Sequence, residues 1–275
     1  MIHQNYCMQK NISFQDTPVH YRVIGNGNPV LLLHGFGEDS TIWEHLIADL
    51  QLNYRLLVPD IPGSGLSPAL PGSPTIDTLA DAMASLLKAE EVNSCTVLGH
   101  SMGGYIALAL VEKYPYWANG LGLLHSSAFA DNEEKKEARQ KSIDFIRTNG
   151  VQALLKTSIP GLFTPEFAAA HADIVNELLQ KGEKFTAEAL VQYYQAMIGR
   201  PDRSEVLKQF DRPVLILAGE HDKAVPFDHS LQQSHFAPIT QLQILRKSAH
   251  MGMLEETELF NKAVKDYLAD LFSKK

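Results

Sequence analysis

The chain has 275 residues, a formal net charge of −8, and 45% hydrophobic against 20% charged residues. That is enough chain for one α/β domain, alone or carrying an insertion, to bury most of its apolar surface. It excludes a nucleic-acid binder, which needs a clustered basic face, because the one charge run, "DNEEKKEAR" at 131–139, mixes both signs and reads as a solvated helix face.

In chain order, strand-like stretches near 6–14 and 19–24, split by "DTP", predict a hairpin at a sheet edge. "PVLLLHG" (29–35) is a continuous apolar run, as in a strand buried on both faces. Residues 41–52 have helical spacing, and "YRLLVPD" (54–60) is the next buried strand. A Gly- and Pro-rich loop over 61–74 leads into an amphipathic helix at 75–90 with a Thr or Asp cap. "SCTVLGH" (94–100), a nearly all-apolar helix at 102–114 ended by Pro115, and the strand "LGLLHSS" (121–127) complete this half.

Strand and helix alternate at the spacing of βαβ units, which predicts a mostly parallel central sheet flanked by helices. The rhythm stops after 127. Helix-like segments at 132–148, 165–181 and 186–198 follow. It resumes with strands in 212–222 and 240–250 and a final amphipathic helix at 255–272. The expected organisation is a core domain of 1–127 and 211–275 interrupted by a helical cap at 128–210.

Two cysteines, Cys7 and Cys95, cannot form a disulfide framework, and Cys95 in its apolar run reads as a buried, inert thiol. No stretch has signal-peptide or membrane-spanning length, so the expectation is a cytoplasmic protein that does not engage a membrane. No His/Cys/Asp/Glu cluster has metal-ligand spacing, and no metal or other cofactor is expected.

The chemistry concentrates at "VLGHSMGGY" (97–105), where "GHSMG" fits Gly-x-Ser-x-Gly. A residue on a strained strand-to-helix turn crowds its neighbours, and glycines two before and two after it relieve the clash. The Ser101 side chain then projects clear of the sheet, at a helix start where free N–H groups favour developing negative charge.

With those residues in place, the chain resembles the α/β-hydrolase fold superfamily, near its small serine esterases, lactonases and perhydrolases. The resemblance runs over nearly the whole sequence and is weakest in the cap. The family's order of nucleophile, acid and histidine implies Ser101, Asp222 in "GEHDKAVP" and His250 in "SAHMGMLE". A serine hydroxyl is a weak nucleophile at neutral pH and needs a base such as His250, which Asp222 would orient. The resemblance assigns the oxyanion hole to the backbone N–H groups of Met102 and of Phe36 in "HGFG" (34–37).

Several neighbouring residues admit rival readings. Glu220 and Asp228 compete for the acid role. Asp60 reads as a loop organiser, and Asp131 as a helix cap. His34 reads as shaping the oxyanion loop through its backbone, and Glu38 and Asp39 as solvated loop charges. Substrate contacts are expected from Phe36, His100, Phe129, Leu162, Phe163 and Met251. Met253, beside Met251, reads equally as core.

The expected function is a serine hydrolase cleaving small, fairly apolar carboxylic esters or lactones through an acyl-enzyme. The alternatives are a C–C bond hydrolase or perhydrolase on the same three residues, or a slow-turnover ligand sensor. The expected partner is the small-molecule substrate. No nucleic acid is expected, and the sequence names no protein partner.

Overall fold

The computed structural model describes residues 7–273. Eight strands form one sheet: β1 (Cys7–Phe14), β2 (Thr17–Ile24), β3 (Asn28–Leu33), β4 (Tyr54–Pro59), β5 (Cys95–His100), β6 (Ala118–Leu124), β7 (Val214–Gly219) and β8 (Thr240–Leu245). Their order is β1-β2-β4-β3-β5-β6-β7-β8. β2 runs antiparallel to both β1 and β4, and all other neighbours are parallel.

The hairpin forms as expected, but its turn is Gln15–Asp16 and β2 begins at Thr17, inside the stretch read as the turn. Both turn residues have positive φ, 50° and 59°. A two-residue turn of that kind matches the twist of the paired strands.

The apolar runs become central strands because helices cover both faces. β5 and β7 are buried at every position. α1 (Glu44–Leu50) packs with α12 (Thr257–Ser273), and α2 (Ile76–Ala89) with α3 (Met102–Lys113). α2 starts at a capping box in which the Thr75 hydroxyl accepts from the Thr78 N–H. Trp43, fully buried, stacks obliquely on Phe260 at a centroid distance of 6.4 Å between the first and last helices.

Between β6 and β7 run α4 (Glu133–Asn149), α5 (Val151–Ser158), α6 (Pro165–Ala170), α7 (Ala172–Gly182), α8 (Ala187–Ile198) and α9 (Ser204–Gln209). The helix expected at 165–181 is thus two helices that break at His171, whose ψ of 51° is not helical. α4 is capped by Asn132, whose side chain accepts from the Lys135 N–H, and not by Asp131. Two further short helices, α10 (Phe227–Gln233) and α11 (Gly252–Glu255), complete the set.

β3 sits at the switch point, with β4 on one side and β5 on the other. In open parallel sheets, ligands bind beyond the carboxyl ends of strands at such a point. Among the described residues no helix is long and apolar enough to cross a membrane.

Candidate active site

Four loops converge at the carboxyl ends of β3, β5, β7 and β8. Ser101 follows β5 directly and has φ 50° and ψ −115°, a conformation that costs a non-glycine residue of order 1–3 kcal/mol. The structure over-determines it. Its N–H donates to the Leu124 carbonyl at 3.0 Å, and its carbonyl accepts from the Ser126 hydroxyl at 2.7 Å. A Cβ on Gly99 would lie 2.3 Å from the Gly103 carbonyl, and one on Gly103 would lie 2.3 Å from the Leu33 oxygen. The two glycines of the motif are therefore required by close backbone approach.

Asp222 and His250 meet. His250 Nδ1 lies 2.8 Å from Asp222 Oδ2, while Asp222 Oδ1 accepts the Ala224 and Val225 N–H groups at 2.8 and 2.9 Å. Burial alone would raise the Asp222 carboxyl; the His250 and His125 imidazoles beside it reverse that and hold it well below the usual carboxylate range. An ionised carboxylate only accepts, so His250 carries its proton on Nδ1 and its Nε2 is left free to accept. Ser101 and His250 line one cavity of about 240 Å³. Glu220 is exposed and Asp228 lies on α10, so neither takes the place of Asp222.

Three expected substrate contacts, Phe36, Leu162 and Met251, line that cavity. Three do not. His100 is fully buried behind the site. Phe129 faces a neighbouring hollow bordered by Asp131 and Arg200. Phe163 stacks on Phe167, at a centroid distance of 5.4 Å. Each was expected from its place near the motif or in the cap, and each side chain is drawn into packing instead. Met253 is core.

Met102 is the first residue of α3, where a backbone N–H has no partner within the helix. Phe36 sits in the loop after β3, its ring 4.4 Å from that of Tyr194 on α8.

Glu38 is not a solvated loop charge. It is 7% exposed, accepts the Gly35 N–H at 2.7 Å and pairs with His100 Nδ1 at 3.0 Å. Burial opposes charge on both partners, yet their mutual attraction prevails: Glu38 is shifted down and His100 up. The pair is carboxylate and imidazolium. Asp39 is half-buried and caps the 3-10 turn at Ser40–Trp43.

His34 acts through its ring as well as its backbone. Nδ1 donates to the Gly35 carbonyl at 2.9 Å, and Nε2 accepts the Ile61 N–H at 3.0 Å. Asp60 organises its loop as expected, accepting the Ser40 and Leu66 N–H groups at 3.0 and 2.9 Å.

Sequence reasoning missed His125. It follows β6 with φ 48°, is fully buried, and places Nδ1 3.4 Å from Asp222 Oδ2. Burial pushes it down to about 4, so it stays neutral at pH 7. His125, Asp222 and His250 each place one potential metal-ligating atom within 4.8 Å of the others, a juxtaposition that no spacing along the chain reveals.

The charge run at 131–139 is likewise only partly solvated. Asp131 is buried, and Lys135 and Arg139 line the cavity. Cys95 is buried as expected, its thiol pushed up to about 12, and Cys7 is exposed.

This arrangement of strands and loops is that of a hydrolase fold, and comparison with known proteins agrees. The profile described as the alpha/beta hydrolase family matches residues 30–263, and the chain belongs to that family. A thermophilic esterase from Thermogutta terrifontis, solved with malate bound, superposes with a TM-score of 0.90 at 27% identity, over 96% of this chain and 99% of the other. The enol-lactonase of Burkholderia xenovorans LB400 superposes with a TM-score of 0.88 at 23% identity, over 94% and 100%. A 2-hydroxy-6-oxo-2,4-heptadienoate hydrolase of Pseudomonas putida is 24% identical over 264 residues, 90% of this chain and 91% of that protein. The chain is a hydrolase, and its family implies a small-molecule substrate.

Proposed function

We propose that the protein is a serine hydrolase that cleaves small carboxylic esters or lactones through an acyl-enzyme, with Ser101 as nucleophile, His250 as general base and Asp222 as its orienting acid. The observation that carries this is the 2.8 Å contact of His250 with an ionised Asp222, in a loop whose histidine shares a cavity with a serine on a strained turn. The name of the structural relative at 27% identity, an esterase, supports the substrate class.

In this reading Ser101 Oγ attacks the substrate carbonyl carbon and gives its proton to His250 Nε2. The oxyanion is held by the N–H groups of Met102 and Phe36. Collapse breaks the C–O bond, and the leaving alkoxide takes the proton from His250. A water molecule, deprotonated by His250, then attacks the acyl-enzyme and releases Ser101. From a lactone the alcohol remains tethered to the acyl group. The helices at 128–210 act as the cap over this chemistry, with Leu162 on its floor. Here the His250 N–H donates to the Leu162 carbonyl at 2.9 Å, a direct tie between the insertion and the proposed base.

The test is hydrolysis of a short-chain p-nitrophenyl ester by wild type and Ser101→Ala. The variant should lose at least about a thousandfold in kcat/KM. Retained turnover would end the proposal.

A further inference from the structure

The lining of the cavity that holds Ser101 is unusual for a chain of net charge −8. Three basic side chains, Lys135, Arg139 and Lys223, line it. The one carboxylate among its described lining residues, Glu38, is already committed to His100 and the Gly35 N–H.

Arg139 is held in place by Asp131, which accepts from its Nε at 2.6 Å. Asp131 does not neutralise it alone. The same carboxylate takes Arg200 Nη2 at 2.9 Å and lies 4.0 Å from Lys135 Nζ. Among the described residues no other carboxylate is within ion-pair distance of these three cations, so the cluster carries excess positive charge. The Nη groups of Arg139 donate to no protein group among the described residues. The guanidinium side chain is only 13% exposed and lines the cavity, so its remaining donors are available to an anion bound there.

The position is tied to the chemistry by an aromatic wall and a lysine strut. The Arg139 guanidinium lies 6.0 Å from the Tyr194 ring centroid, and that ring packs on Phe36 of the proposed oxyanion loop. Lys135 Nζ donates to the Ala224 carbonyl at 2.7 Å, two residues beyond Asp222 and beside Lys223.

We infer that the substrate is an ester or lactone that bears a second, free carboxylate, and that Arg139, supported by Lys135 and Lys223, binds that carboxylate while the scissile carbonyl meets Ser101. The planar guanidinium offers paired N–H donors of the geometry a carboxylate accepts. The inference rests on the ester or lactone reading above and narrows it: the acyl site is apolar along its aliphatic walls and anion-selective at its far end.

The experiment compares glutarate with its uncharged analogue glutaramide by titration calorimetry, on wild type and Arg139→Gln. A parallel assay takes the ratio of kcat/KM for mono-p-nitrophenyl glutarate to that for p-nitrophenyl pentanoate. Wild type should bind glutarate more tightly than glutaramide and favour the charged ester. Arg139→Gln should weaken glutarate binding and lower the ratio by about tenfold or more, mostly through KM. Raised ionic strength should weaken glutarate binding to wild type. Equal binding of the two compounds to wild type overturns the inference whether or not the variant folds, and so does a ratio that Arg139→Gln leaves unmoved. Glutarate binding without Ser101-dependent turnover of either ester would instead defeat the hydrolase reading and leave the carboxylate site standing.

Discussion

His100 Nε2 donates to the backbone carbonyl oxygen of His250 at 3.0 Å, across 150 positions of sequence. The other ring nitrogen meets Glu38, whose carboxylate also holds the Gly35 N–H. One buried ion pair therefore ties together the loop before Phe36, the strand end before Ser101 and the loop that carries His250. Glu38→Gln leaves a buried imidazole without its counter-charge, and should cost about 3 kcal/mol or more of stability and lower ester turnover. The pH dependence has a definite sign. Glu38 is shifted down, so its share of stability is present above the ordinary carboxyl value of 4.5 and fades in acid. His100 is shifted up, so its share is present below the ordinary value of 6.5 and fades as pH climbs through its raised value. The stability gap between wild type and Glu38→Gln, measured by urea unfolding, should be widest between those two values and narrow on either side.

Asp222→Asn should preserve the fold and lower kcat by about a thousandfold to ten-thousandfold. The amide group introduced by this substitution can donate to Nδ1, which moves the His250 proton to Nε2 and removes the acceptor that Ser101 needs. Far-ultraviolet circular dichroism alongside steady-state kinetics checks both halves of this expectation.

Much of this site was legible in the sequence, because its chemistry sits on local patterns. "GHSMG" requires its glycines for reasons the structure bears out at Gly99 and Gly103, and the buried strands are unbroken apolar runs. What stayed hidden depends on partners far along the chain. Nothing local marks Glu38 as buried, since its partner His100 is 62 residues away. α5, α9 and α10 have only six to eight residues, too few for a periodic pattern to stand out. The charge run did hold a usable signal: Lys135 and Arg139 are four residues apart, which places them on one side of α4, the side that meets the cavity.

His125 carries a separate pH signature. Its folded value is depressed to about 4 from 6.5, so below pH 6.5 the unfolded chain takes up a proton that the fold resists. Stability should therefore fall as pH drops from 6.5 toward 4, by about 3 kcal/mol from this residue, and level off beneath that. His125→Asn, which cannot take up that proton, should flatten this part of the stability profile. An unaltered slope in the variant would assign the acid loss to other groups.

The central claim is an activated serine at residue 101, and the most direct measurement is labelling with a fluorophosphonate probe followed by peptide mapping. The account predicts one label per chain, on the peptide that contains Ser101, lost in Ser101→Ala and sharply slowed in His250→Ala. Ester hydrolysis that continues with Ser101 unlabelled, or a label that maps to a different residue, would contradict it.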